Sequence, residues 1–177
     1  MKLKKFLSLF AGHRLAVVCL AFIAAVLLCG LFAGRIAPND PVNVDLSLKF
    51  QPPSSRFPFG TDNLGRCVFS RVIYGIRTSL GAAFVVMAAS LCIGTIIGVC
   101  SGYKGGRTDM VLMRICDALL SFPNVVIVLL IVGALGPGIL NVLLGMILVQ
   151  WVWYTRIVRS LVLSIKERAF ISAAKIS

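Results

Sequence analysis

The sequence predicts an all-α, polytopic membrane protein. Three observations carry that prediction. Hydrophobic residues make up 59% of the 177 residues, and the mean hydropathy is +0.97. Three uncharged runs, 15–34, 78–103 and 118–155, are each long enough to cross a bilayer core of about 30 Å. The third run carries Gly136-Pro137-Gly138, a turn that divides it into two spans. Four crossings result: residues 15–34, 78–103, 118–135 and 139–155.

Residues 1–14 form the first inner segment, with Lys2, Lys4, Lys5 and Arg14 and no acid. A cleaved signal peptide is the rival reading of this basic start. The run at 15–34 is longer than a signal core, and no clean small-x-small site follows it. The single histidine, His13, has no partners for metal binding and reads as an interfacial polar residue.

The outer segment, 35–77, opens with loop composition at Pro38, Pro41, Pro52 and Pro53. Thr61 or Asp62 is placed to cap a helix beginning at Asn63. On that helix Asn63, Arg66, Ser70, Arg71, Tyr74 and Arg77 share a polar side, and Leu64, Val68, Phe69, Val72, Ile73 and Ile76 an apolar one. The expectation is an interfacial helix over 63–77 leading into the second span.

Within 78–103, Ser90, Gly94, Gly98 and Gly102 recur every four residues. Small residues on one face allow close helix approach, so the face is read as packing, within this chain or against another subunit. Residues 104–117 read as a short charged loop. Pro123 falls in the first turns of the third span, where it costs few backbone bonds. Residues 156–177 form a basic, amphipathic tail.

With the N-terminus inside, the inner segments hold 12 basic residues, the outer segment 6 and the hairpin turn none. That asymmetry places the N-terminus and the tail in the cytoplasm. It also accounts for the net charge of +12 without a nucleic acid, because the basic residues lie in short segments between apolar spans. The six cysteines form no C-x-x-C pair, and at least four lie in apolar spans. They read as small packing residues rather than a disulfide framework or metal site.

No charged side chain falls inside a span, which argues against a proton-coupled carrier. There is no nucleophile with a base, no metal-ligand cluster and no phosphate-binding Gly-Lys-Ser/Thr loop. The chain is therefore expected to be no enzyme and to bind no cofactor of its own. Polar uncharged residues remain at Ser121, Asn124, Asn141, Gln150 and Thr155. Each can bond to a neighbouring helix or line a pathway, and Asn124, Asn141 and Gln150 are the pathway candidates. Trp151, Trp153 and Tyr154 read as an interfacial aromatic belt.

Two stretches carry a family resemblance. AFISAAKIS, at 169–177, resembles the cytoplasmic coupling loop of bacterial ABC importer permeases, with Ser172-Ala173-Ala174 in place of Glu-Ala-Ala. FGTDNLGRCVFSRVIYGIRTSLG, at 59–81, resembles the segment before the second span in the dipeptide/oligopeptide/nickel subfamily, with Cys67 where an Asp is usual. The resemblance implies a six-span-type permease fold of which four spans are present. The chain would then end within the coupling loop, as a fragment.

It further implies a bacterial inner-membrane location, ATPase subunits that carry the ATP, a second permease and an external solute-binding protein. Phe170, Ser172, Ala173, Ala174 and Ile176 would contact the ATPase. The run WVWYTRIVRSLVLS is more similar to nickel permeases than to peptide permeases, which implies nickel before di- or oligopeptides. The competing readings are a non-transporting four-span interaction protein and a secondary carrier.

Overall fold

The computed structural model describes residues 14–168. It is helical, and among the described residues the extended pairing is one antiparallel bridge, Thr61 with Cys67. The chain forms two compact units, Met1–Gly81 and Ala82–Ser177.

In the first unit, α1 (Arg14–Leu31) carries no charge after Arg14 and leaves Leu15, Phe22, Leu27 and Leu31 exposed. Bare apolar surface of this kind suits lipid. A short α2 (Ala33–Ile36) follows. The segment after it folds back and forth through a single 3-10 turn at Leu46–Leu48, capped by the Asp45 carboxylate, which accepts from the Ser47 N–H.

The helix expected from Asn63 begins five residues later, as α3 (Val68–Lys104). Local chemistry delays it. The Asp62 carboxylate accepts from the backbone N–H groups of Leu64 and Arg66 at 2.9 and 3.0 Å, offering the chain a turn in place of a helix. Gly65 then takes φ +74°, outside the right-handed helical region. Asp62 therefore shapes the turn before the helix and does not cap it. Ser70, read as part of the polar side, is fully buried and accepts from the Asn39 N–H at 3.1 Å.

In the second unit, α3 ends at Lys104 and the chain reverses through Gly105 and Gly106, at φ +65° and +54°. Residues 104–117, read as a loop, are mostly helical and belong to α4 (Gly106–Leu120). Its first turn carries Asp109, which complements the helix dipole. After a break at Ser121–Pro123 comes α5 (Asn124–Leu135), bent 82° from α4. The expected single span over 118–135 is thus two helices. Pro123 lacks an N–H and biases Phe122 away from helix. The 12 residues of α5 rise only about 18 Å, short of a full hydrocarbon core.

The Gly136-Pro137-Gly138 turn leads into α6 (Ile139–Lys166), antiparallel to α5. The uncharged stretch stops at Thr155, yet the helix runs 28 residues without a break, about 42 Å. Gly145, Val149, Val152 and Thr155 form its buried stripe. By length and composition α1, α3 and α6 are each able to cross a membrane, and the bent α4–α5 pair is a fourth candidate.

Candidate coupling junction

α6 leaves its apolar stretch through Arg156 and Arg159, one helical turn apart and thus on neighbouring positions of one face. Both reach acids on α4. The Arg159 guanidinium grips Asp109 with two parallel bonds, Nε to Oδ1 at 2.5 Å and Nη2 to Oδ2 at 2.6 Å. Ser101, near the end of α3, donates to the same carboxylate at 2.5 Å. Three helices therefore meet on one side chain.

The side chains of Arg159 and Asp109 are 29% and 19% exposed. A bidentate, charge-assisted pair with that partial burial contributes about 1 kcal/mol after screening. The bonds from Arg159 hold the Asp109 carboxyl down at a pKa of about 2, against the cost of burial and with help from Ser101. The same bonds raise the pKa of Arg159.

Arg156 pairs with Asp117, where both side chains are about half exposed, and contributes less. Lys166, the last residue of α6, donates to the Tyr103 carbonyl at 3.0 Å. Burial raises the pKa of Cys116, on the inner face of α4, which leaves it a neutral packing group.

α3 fits closely against α6 along the small-residue stripe. A Cβ at Gly98 would lie 2.7 Å from the Thr155 carbonyl oxygen and 2.9 Å from Val158 Cβ. Gly94 faces Trp151 and Tyr154, and Gly102 faces Arg159 and Val162. The partner of these three glycines is thus this chain's own α6. Ser90, at the head of the stripe, is fully buried, and its hydroxyl has no hydrogen-bond partner. The same holds for Thr155.

Two of the three pathway candidates come together. Asn124 and Gln150 line a recess of about 250 Å³ between α5 and α6, whose other walls are Val125, Val128, Val142, Met146 and Val149. Such a cleft can take a small apolar or amphipathic group with two amides at its edge. Asn141 lines no part of it. Its amide donates to the carbonyls of Leu135 and Gly136 at 3.1 and 2.9 Å, closing the end of α5. Among the described residues no three His, Cys, Asp or Glu side chains gather as metal ligands.

The residues expected to touch an ATPase, Phe170, Ser172, Ala173, Ala174 and Ile176, lie outside the described residues, as does His13. The Asp109–Arg159 and Asp117–Arg156 pairs were not anticipated from sequence. A signal was present: Asp109 and Asp117 stand eight residues apart on what proves to be a helix, about 80° apart around its axis.

Residues 94–177 match the family described as "binding-protein-dependent transport system inner membrane component". Residues 3–53 match the "N-terminal TM domain of oligopeptide transport permease C". The nickel transport system permease protein of Escherichia coli K12 is 37% identical over 172 residues, covering 97% of this chain and 61% of the relative. The probable D,D-dipeptide transport system permease protein of the same strain is 37% identical over 171 residues, 97% of this chain and 57% of the relative. A dipeptide transport system permease protein of Alkalihalophilus pseudofirmus is 37% identical over 163 residues, 92% of this chain and 54% of the relative.

The chain thus spans somewhat more than half the length of these curated relatives, which are transport permeases and not enzymes. A multi-pass helical chain that matches both models, and aligns with such permeases over nearly its whole length, belongs to the family of binding-protein-dependent transport system inner membrane components.

Proposed function

We propose that this chain is a permease subunit of an ATP-binding-cassette importer. It forms part of the translocation path and passes mechanical force from ATPase subunits to the membrane spans. The observation that carries this reading is the continuity of α6. One helix runs from the apolar stretch at Ile139 to Lys166, and it is held to α4 and α3 where Asp109 meets Arg159 and Ser101. A push on the segment after Lys166 would move α6, α4 and the end of α3 together, as a rigid body in alternating access.

In this reading the N-terminus and the coupling segment face the cytoplasm of a bacterial cell. ATP sits on the partner subunits, a second permease completes the path, and an external binding protein delivers the solute. Phe170, Ser172, Ala173, Ala174 and Ile176 supply the ATPase contact. Asn124 and Gln150 edge the path, and Asn141 serves the hairpin instead. Ala173→Asp puts a charge into a packed groove, so the ATPase is lost when the assembled transporter is purified through this subunit. Unchanged recovery of the ATPase would remove the contact assignment.

For the solute we favour nickel, on the similarity of 151–164 to nickel permeases. The relatives named for nickel and for D,D-dipeptide are equally identical to this chain at 37%, so uptake has to separate them. Cells deleted for the transporter should lose accumulation of radioactive nickel and keep that of labelled dipeptide. The opposite result would make the solute a peptide.

A further inference from the structure

α4 uses one side for the junction and leaves the other bare. Cys116, Asp109, Leu112 and Leu119 face inward. The outward side carries Arg107, Met110, Val111, Arg114 and Ile115. Around the helix axis the two arginines lie at the centre of that side, with Met110 to one flank and Val111 and Ile115 to the other. Met110 is 63% and Val111 57% exposed. A merely solvated helix face has no use for three large apolar side chains around two arginines.

The setting adds to this. α4 lies 82° from α5, so with α5 along the membrane normal α4 runs nearly in the plane of the bilayer. It pairs with α6 at Arg156 and Arg159, where the uncharged stretch gives way to charge. Exposed Tyr103 and Phe122 stand just before and just after the helix, and aromatic side chains of this kind favour the interfacial zone.

We propose that the outward face of α4 lies on the anionic headgroup layer of the leaflet at the polar end of α6. Arg107 and Arg114, with Lys104 beside them, take lipid phosphates. Met110, Val111 and Ile115 enter the upper acyl region. Basic side chains at such a surface concentrate anionic lipid next to themselves, and long ones reach headgroups while their stems stay among the chains. This assignment does not depend on which solute is carried.

The test places a photoactivatable p-benzoylphenylalanine at Val111 of the full chain, in nanodiscs holding equal amounts of phosphatidylglycerol and phosphatidylcholine. Mass spectrometry then identifies what has been captured. Lipid adducts are expected, with phosphatidylglycerol favoured by at least about twofold. In Lys104→Gln/Arg107→Gln/Arg114→Gln, whose exposed sites leave the helix content by circular dichroism unchanged, the two lipids should be captured equally. Equal capture without those substitutions overturns the anionic preference. Crosslinks to a polypeptide, in nanodiscs or in native membranes, overturn the proposal in favour of a protein partner. Absence of any adduct shows a face open to water and overturns it too.

Discussion

Two carboxylates, one in each compact unit, are held at a pKa of about 2, yet they do different work. Asp62 is bound by its own neighbourhood. Leu64 and Arg66 donate backbone N–H groups to it, and the Arg66 guanidinium pairs with it at 2.8 Å. Burial works against the charge of Asp62, and these bonds outweigh it. Asp109 is bound from 50 residues away by Arg159 and by Ser101 on a third helix. The first arrangement fixes the shape of one turn. The second ties together helices whose joint, rigid-body movement is the proposed means of transport. The same chemistry is thus local in the 37–67 connection and long-range at the junction, and only the long-range form can carry a coupling role.

The largest effect should come from separating the helices that the junction ties. In Gly98→Ala the new methyl meets the Thr155 carbonyl, a backbone atom that has no rotamer to move. α3 and α6 must part, at a cost of about 1–3 kcal/mol. Gly75 lies on the same helix in the first unit with open space around it, so Gly75→Ala should be neutral or stabilising by about 0.5–1 kcal/mol. Thermal unfolding in detergent reads both. A Gly98→Ala midpoint equal to the parent's would mean that the α3–α6 approach is looser than described.

Legibility from sequence followed the range of the interactions. The helical class and the Gly136-Pro137-Gly138 hairpin were readable because uncharged length and a Gly-Pro-Gly break are local signals. The small stripe at Gly94, Gly98 and Gly102 was readable as a face, but not its partner, since one helix's pattern does not name the helix opposite. The reading of 104–117 as a loop failed because charge was taken to mark a gap between elements. In fact the stretch is mostly helix, with Asp109 on its inward side and Asp117 at its half-exposed edge, each paired to an arginine of α6. The helix break inside 118–135 was not legible, because an uncharged run records polarity and says nothing of the bend at Pro123. Asn141 was grouped with Asn124 and Gln150 by residue type alone, and its place one residue-pair past a tight turn gave it a capping job instead.

The second prediction compares the carboxylates directly. Asp109→Asn keeps the shape and removes the charge, so Arg159 is left with a neutral partner and the unit loses about 1 kcal/mol. A double-mutant cycle with Arg159→Gln should show most of that loss as coupling between the two sites. Uptake by the assembled transporter should fall further than stability does, because the tie between α6 and α4 is broken while the fold persists. Asp62→Asn should loosen hydrogen-exchange protection within 61–67 and leave ATPase stimulation in the assembled transporter unaltered. Equal loss of stimulation in both variants would end the distinction between a local and a long-range role.

The smallest effect is the acid response, and its sign is fixed by the direction of the shifts. Both carboxyls have folded pKa values of about 2, below the ordinary 3.8. A depressed carboxylate contributes stability that is fully present above its unfolded pKa and is lost as pH falls through the folded one. Between pH 7 and pH 5 neither group should change anything. From about pH 4 down to about pH 2 both contributions fade, and they do so in separate places. Exchange protection should weaken at the Leu64 and Arg66 amides in one unit, and around Ser101 and Arg159 in the other. In Asp109→Asn the second of these responses should vanish while the first stays. If acid loosened the junction equally in that variant, another group near α4 would be titrating, and the tie would not rest on Asp109.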